Sequence, residues 1–392
     1  MISYNSYLGE LPNNQIICIV TASQRFLSLD VFRGLTVAAM ILVNNPGSWE
    51  YVYGPLEHAK WHGCTPTDLV FPFFLFAVGN AMSFAMKKYA DAGNAAVIRK
   101  IMTRTLLIFG IGLLLNWFPF VKWSDGQLVG KSLSNLRILG VFPRIALCYG
   151  AAAFIVHYLK DKGAFVAACI ILLAYWFILV AFGGSDPYSL EGYAGLPLDK
   201  LILGENHMYK GEGVPFDPEG ILSTLPAICN VIFGYLAGKF IQEKGKTYEM
   251  LARLLIMGCI LIFAALCWNI VFPINKKIWT SSYVLYTVGI ALLLLSILMY
   301  IIEFRAYTKW TTFFTVFGKN PLFIYVLSGV VVKLYLLIRP VPGQNMYTWL
   351  YQTVFQPIGG NMVGSFLFAL FHVCAFAAIG YWMDKKKIYV RV

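Results

Sequence analysis

The 392-residue chain is 59% hydrophobic and 16% aromatic, with only 13% of its residues charged and a formal net charge of +12. A soluble domain of this length carries about a quarter charged residues, so a soluble globular fold is excluded. The basic residues are spread between apolar segments instead of gathered in one patch, which argues against nucleic acid as a partner.

Residues 1–24 are mildly polar, with Pro12-Asn13-Asn14 at their centre. They lack the basic start and small-residue cleavage site of a signal peptide and read as a flexible cytoplasmic tail. Apolar segments then recur at about 29–46, 66–86, 101–119, 137–158, 163–183, 221–241, 251–272, 280–302, 313–337 and 362–383. Each is near the roughly 20 residues that a helix needs to cross a hydrocarbon core of about 30 Å. The runs are unbroken instead of alternating, which excludes a β-barrel. The expected fold is all-α, a polytopic helical membrane protein of about ten transmembrane helices, with residues 25–392 forming one transmembrane domain.

Lysine and arginine set the orientation. With the N-terminus inside, the inner segments carry about twice as many of them as the outer loops, so both termini are expected in the cytoplasm. The segment at about 184–220 is then an extracytoplasmic loop, acidic through Asp186, Glu191, Asp199, Glu205, Glu212, Asp217 and Glu219. Gly318-Lys319-Asn320-Pro321 breaks the ninth segment, where a broken helix or re-entrant turn is expected. The cysteines are scattered and form no C-x-x-C pair, so neither a disulfide framework nor a zinc site is signalled.

Polar groups inside such segments are costly and therefore informative. Asp30 and Arg33 stand three apart on one helical face, as a capping ion pair or as an anchor for an anionic substrate group. Arg144 lies inside the fourth segment and needs a carboxylate, carbonyls or a ligand phosphate to satisfy its donors. Lys319 and Asn320 flank the break in the ninth, with ligand contact and helix-break chemistry both open. Asn44 closes the first segment before Asn45-Pro46-Gly47, as stop chemistry would have it. Two of the five histidines fall in Glu57-His58-Ala59-Lys60-Trp61-His62, on the outer side and just before Thr65-Pro66-Thr67-Asp68 opens the second segment. Asp68 alone suits a helix start facing the dipole. Together, His58, Asp68 and Asn44 sit at the outer ends of two adjacent segments, where a histidine with an orienting partner can act as a general base. His62, His157 and His372 read as loop or structural residues, and Trp61 as an interfacial aromatic whose ring also suits a sugar.

From Arg25 onward the chain resembles the heparan-α-glucosaminide N-acetyltransferase family of transmembrane acyltransferases, including its bacterial members. The matching blocks include Leu27-Ser28-Leu29-Asp30-Val31-Phe32-Arg33-Gly34, Val43-Asn44, His58-Ala59-Lys60-Trp61-His62-Gly63, Thr67-Asp68-Leu69-Val70-Phe71-Pro72, Phe216-Asp217-Pro218-Glu219-Gly220 and Lys277-Ile278-Trp279-Thr280-Ser281-Ser282-Tyr283. The resemblance implies transfer of an acetyl group from cytoplasmic acetyl-CoA, as co-substrate and without a metal, to the amine of a glucosamine-like sugar or oligosaccharide across the membrane. It places the family's active histidine on His58 and its neighbouring asparagine on Asn44. Arg33, Arg144, Lys319 and Asn320 become candidates for the CoA phosphates, and Trp61, Asp217 and Glu219 for the acceptor. Asn45-Pro46-Gly47 and Val141-Phe142-Pro143-Arg144 depart from the family's pattern and leave the acceptor open. A sugar transporter and an O-acyltransferase of a cell-envelope glycan are the competing readings. The expected location is the bacterial inner membrane, with the lipid bilayer as a partner and homodimerisation left open.

Overall fold

The computed structural model describes residues 26–88 and 93–390, so the tail expected over residues 1–24 lies outside the described residues. Twelve α-helices follow in order: α1 (Leu27–Asn44), α2 (Pro66–Lys88), α3 (Asn94–Trp117), α4 (Val141–Phe182), α5 (Gly195–Leu203), α6 (Ile221–Lys244), α7 (Tyr248–Asn269), α8 (Ser281–Met299), α9 (Thr311–Lys319), α10 (Pro321–Leu337), α11 (Met346–Leu350) and α12 (Gln356–Lys385). An antiparallel hairpin, β1 (Val121–Ser124) and β2 (Gln127–Gly130), lies between α3 and α4.

Among the described residues, seven helices are long and apolar enough to cross a membrane, and the α9–α10 pair makes an eighth if counted as one span. The protein is thus a polytopic helical membrane protein. The difference from ten has two sources. α3 carries Arg99, Lys100 and Arg104 in its first half and falls outside the seven. α4 is one element of 42 residues, which as a straight helix would be about 63 Å long, twice a bilayer core. It is not straight. Lys160 has φ 55° and ψ −168°, and the chain reverses there. Arg144 bonds Ser223 at the start of α6, Asp161 pairs with Lys239 near the end of α6, and Leu172 accepts from Ser281 at the start of α8. The charged trio Lys160-Asp161-Lys162 thus caps a helical hairpin.

The less apolar helices are the central ones. Only 22% of the most apolar stretch of α4 and 28% of that of α7 is buried, against 78% for α6. In a membrane the lipid-facing surface is the most hydrophobic, while interhelical contacts use small and polar side chains. α6 follows this rule with Gly234-x-x-x-Gly238: a Cβ at Gly234 would meet the Phe76 carbonyl oxygen at 2.1 Å, and one at Gly79 would meet that of Val231 at 1.9 Å. Backbone touches backbone there, which fixes α2 against α6. Gln242 Nε2 donates to Ser83 Oγ at 2.7 Å across the same interface.

The break in the ninth segment is real. α9 and α10 meet at 86° around Asn320, whose side chain is fully buried. Its Nδ2 donates to Ile388 O at 3.0 Å and its Oδ1 accepts from Val390 N at 2.8 Å. These bonds replace the helical ones lost at the bend and tie down the end of the described chain.

Candidate functional site

The site is built at the start of α2. Thr65 precedes Pro66, which suits the first helical position because it lacks an N–H that would go unpaired. Asp68, three residues after Thr65, reaches back so that its Oδ2 accepts from Thr65 N at 3.0 Å and lies 3.1 Å from Thr65 Oγ1. That is one half of a capping box, the carboxylate closing back on the backbone donor, and Oδ2 also accepts from Ala59 N at 3.0 Å. The other oxygen, Oδ1, lies 2.7 Å from His58 Nδ1. Asp68 is 1% exposed, whereas the His58 side chain is 42% exposed. The histidine therefore turns one nitrogen to a buried carboxylate and leaves the rest of its ring open.

The loop that carries His58 is fixed at several points. Thr65 Oγ1 donates to Glu57 O at 2.6 Å, and Thr67 Oγ1 to Pro55 O at 3.2 Å. Gly63 has φ +103°, a backbone region that favours glycine, and its N–H donates to Ile274 O at 2.8 Å. Tyr283 of α8 donates to Asp68 O at 2.5 Å and braces the first turn of α2.

The partner loop, between α7 and α8, supplies a group that the sequence did not single out. Lys276 Nζ lies 3.3 Å from Asp68 Oδ1 and 2.9 Å from His58 Nδ1. Burial pulls its ammonium down from the ordinary lysine range, and the neighbouring Asp68 opposes that shift. In the sequence it is marked only by standing next to Lys277 in a loop expected on the outer side, which does not connect it to His58. Lys277 turns elsewhere, to Glu212 Oε2 at 2.5 Å and towards the Trp61 ring. Cys64 sits beside this cluster with its thiol pushed up to about 12, by burial first and by Asp68 second.

Asn44 ends α1 with its side chain exposed, and its Nδ2 lies 3.4 Å from Tyr325 Oη of α10. It is not hydrogen-bonded to His58.

The remaining candidates have protein partners. Arg137 Nη2 donates to Asp217 Oδ1 and Glu219 Oε2, each at 2.6 Å, and its Nε donates to Asp217 Oδ2 at 3.0 Å. Burial works against the Arg137 charge, but Glu219 and Asp217 outweigh it and hold the guanidinium cationic beyond the ordinary range. Asp217, 1% exposed, is thus engaged within the loop and not open to an acceptor. Trp61 Nε1 donates to Tyr188 O at 2.7 Å, which uses its one donor to pin the segment at 184–220.

The four groups expected at CoA phosphates also hold protein. Arg33 Nη1 donates to Gly318 O at 3.0 Å, and Asp30 Oδ1 lies 3.6 Å from its Nη2. Lys319 pairs with both oxygens of Asp384 at 2.7 Å. Asn320 makes the bonds of the bend described above. Arg144 is fully buried: Nη2 donates to Ser223 Oγ and to Gly220 O, and the guanidinium sits 4.9 Å from the Trp279 ring centroid. Arg144 thus ties α4 to the start of α6 and to the turn before α8, while its Nε and Nη1 are buried without a hydrogen-bond partner. His157 and His372 have the structural settings expected of them, bonded to Asn94 and to Phe368 O. His62 is drawn towards the site loop, its Nδ1 3.4 Å from Asn275 Nδ2.

At the far end of α2 and α6 a cavity of about 800 Å³ opens, with Lys87, Asn94, Lys160, Asp161, Lys239 and Gln242 on its wall. Among the described residues no three His, Cys, Asp or Glu side chains cluster closely enough to hold a metal ion.

Residues 25–255 match the family model described as heparan-alpha-glucosaminide N-acetyltransferase, catalytic, which covers more than half of the chain. The chain belongs to this family. It is 28% identical over 361 residues to the heparan-alpha-glucosaminide N-acetyltransferase of Mus musculus, covering 78% of this chain and 53% of the relative. The protein of the same name from Homo sapiens is 28% identical over 357 residues, covering 77% of this chain and 52% of the relative. The chain thus spans about half the length of the curated relatives it matches. The N-acetyltransferase family region contains His58, Asp68 and Asn44 and stops before Lys276, although the relatives' matches extend beyond it.

Proposed function

We propose that the protein is a transmembrane N-acetyltransferase, which moves an acetyl group from acetyl-CoA to the amine of a glucosamine-like sugar. The observation that carries this reading is the 2.7 Å contact of His58 Nδ1 with the buried Asp68 carboxylate inside the family's region. In this reading Asp68 holds the Nδ1–H tautomer, so that the Nε2 lone pair points to the open side of the ring.

His58 then takes the proton from the acceptor amine as that amine attacks the thioester carbonyl. The C–S bond breaks, the amide forms and CoA leaves as its thiol, with the proton returned by the imidazolium. In the two-step variant Nε2 itself attacks the thioester and carries the acetyl group to the amine. Asn44 Nδ2 supplies a hydrogen bond to the oxyanion, with Tyr325 Oη beside it, a role worth about 3 kcal/mol in other acyl-transfer enzymes. Burial and Asp68 push the Cys64 thiol up, which disfavours it as the acyl carrier because the thiolate is the nucleophile.

The topology that suits this chemistry has ten crossings, both termini in the cytoplasm, and His58 on the outer side of a bacterial inner membrane. The cavity around Lys160 and Lys239 then faces the cytoplasm and receives the phosphates of acetyl-CoA, about 30 Å along α2 from Asp68. The loop at 184–220 faces the acceptor.

The test is direct. Purified protein in sealed proteoliposomes is incubated with acetyl-CoA and glucosamine, and the products inside and outside the vesicles are read by mass spectrometry. N-acetylglucosamine with release of CoA supports the reading. Labelled hydroxyls with a free amine would make it an O-acyltransferase, and unmodified sugar moved across the membrane would make it a transporter.

A further inference from the structure

His58 Nδ1 has two neighbours with opposite demands. Asp68 Oδ1, at 2.7 Å, can only accept a hydrogen bond, while the ammonium of Lys276, at 2.9 Å, can only donate one. A ring nitrogen carries either a proton or a lone pair, so it serves one of them at a time. The short contact to the carboxylate takes the proton. Lys276 then lies against Nδ1–H without a bond to it and keeps its own ion pair with the same oxygen at 3.3 Å. A cation at that distance strongly disfavours a second positive charge on the imidazole.

We propose that Lys276 is a positioning residue that keeps His58 neutral, by sharing the Asp68 charge that would otherwise hold the ring as an imidazolium. The inference rests on the reading of His58 as the base and deepens it: a histidine that is already protonated cannot accept the amine's proton. A buried carboxylate with no other counter-charge favours the imidazolium at its side, and Lys276 offsets that pull.

The surrounding groups leave this role to Lys276. Cys64, from the turn before α2, stays a neutral thiol. Tyr283, from α8, is occupied with Asp68 O. Glu219, ahead of α6, adds a negative charge that acts on Lys276. Lys277 is committed to Glu212. The loop itself is held at several points. Asn275, fully buried, accepts from Thr280 N at 3.0 Å and, through Oδ1, from Ile278 N at 3.1 Å. Trp279 sits at φ 52° with Nε1 donating to Asn230 Oδ1 at 3.0 Å. A non-glycine residue held at positive φ by such packing is strain of the kind that marks functional positions.

The experiment follows the titration of His58 without relying on acetyl transfer. Purified wild type, Lys276→Met and Lys276→Arg are treated with diethylpyrocarbonate across pH 5 to 9, and the peptide holding His58 is quantified by mass spectrometry. Diethylpyrocarbonate reacts with neutral imidazole. The pH of half-maximal reactivity is expected to rise by about one unit or more in Lys276→Met and to stay at the wild-type value in Lys276→Arg. An unchanged midpoint in Lys276→Met that remains monodisperse overturns the proposal. If that variant does not fold, Lys276→Gln is read in its place by the same criteria. Where transfer is measurable, the acidic limb of its rate profile moves by the same amount; a uniform loss at every pH also overturns the proposal. Failure of the wild type to acetylate any sugar removes the enzyme reading but leaves the reactivity profile, and hence this inference, separately testable.

Discussion

Asp68 divides its carboxylate between two tasks: Oδ2 closes the start of its own helix at Thr65, and Oδ1 meets His58 Nδ1 at 2.7 Å. The helix start and the orientation of the histidine are therefore one construction. Capping the helix and facing the ring are therefore compatible in one side chain. This coupling also means that the two roles can be separated by mutation.

Thr65→Ala removes the hydroxyl that bonds Glu57 O and leaves the Thr65 backbone donor and Oδ1 in place. It is expected to cost about 1 kcal/mol of stability, the usual worth of one hydrogen bond, read as a fall of a few degrees in thermal melting in detergent, with acetyl transfer within several-fold of wild type. Asp68→Asn keeps an acceptor for the cap but loses the charge facing His58. It is expected to lower the transfer rate on the order of a hundredfold to ten-thousandfold, with a melting temperature closer to wild type than its activity suggests. Equal, small losses for both variants would count against the division of roles.

Asp199 gives a pH dependence with a definite sign. Burial raises its carboxyl to about 6, above the usual value near 3.8, although Ile221 N donates to Oδ1 at 2.8 Å. A carboxyl raised in the folded state binds more protons there than in the unfolded chain. Its contribution is therefore fully present below about pH 4 and is lost as pH rises through about 6. Asp199→Asn is expected to raise the melting temperature at pH 7.5, by an amount corresponding to at most about 3 kcal/mol, and to leave it nearly unchanged at pH 4. Melting curves of both proteins at the two pH values check this.

Gly234→Leu tests how α2 is held in place. The side chain would have to occupy the space of the Phe76 carbonyl, so the α2–α6 contact must open. The expected cost is about 1–3 kcal/mol, as for other overpacked cores. Gly110→Leu, at a position with open space around its Cβ, is the control and should melt like wild type.

Cys64→Ala should retain transfer within a few-fold, since a thiol pushed up to about 12 is almost wholly protonated near neutral pH. Its alkylation by N-ethylmaleimide at pH 7.5 should be slow compared with that of the same residue in the unfolded chain. Rapid, inactivating modification at Cys64 would point to an acyl-cysteine route instead.

Helices were legible in the sequence because long apolar runs carry their own length scale. Each of the ten expected segments falls on a helix, including both halves of α4, where Lys160-Asp161-Lys162 announces the reversal. The β1–β2 hairpin was missed although Asp125-Gly126, both at positive φ, is a strong two-residue turn signal. At the site, the spacing from Thr65 to Asp68 and the nearby His58 could be read locally. Lys276 could not, because it lies 218 residues from His58 and only tertiary packing brings them together. The same limit explains Arg33, Arg144 and Lys319. Sequence shows that a cation within an apolar run needs a partner, but Gly318, Ser223 and Asp384 are found only in the folded chain.

The account turns on His58, and one measurement tests it most directly: the rate of acetyl-CoA-dependent N-acetylglucosamine formation by purified His58→Ala beside wild type, with both shown to be monodisperse and to melt alike. The prediction is a fall of at least about a hundredfold, the contribution expected of a general base, and more if the ring carries the acetyl group. A His58→Ala protein that acetylates glucosamine at the wild-type rate would contradict it.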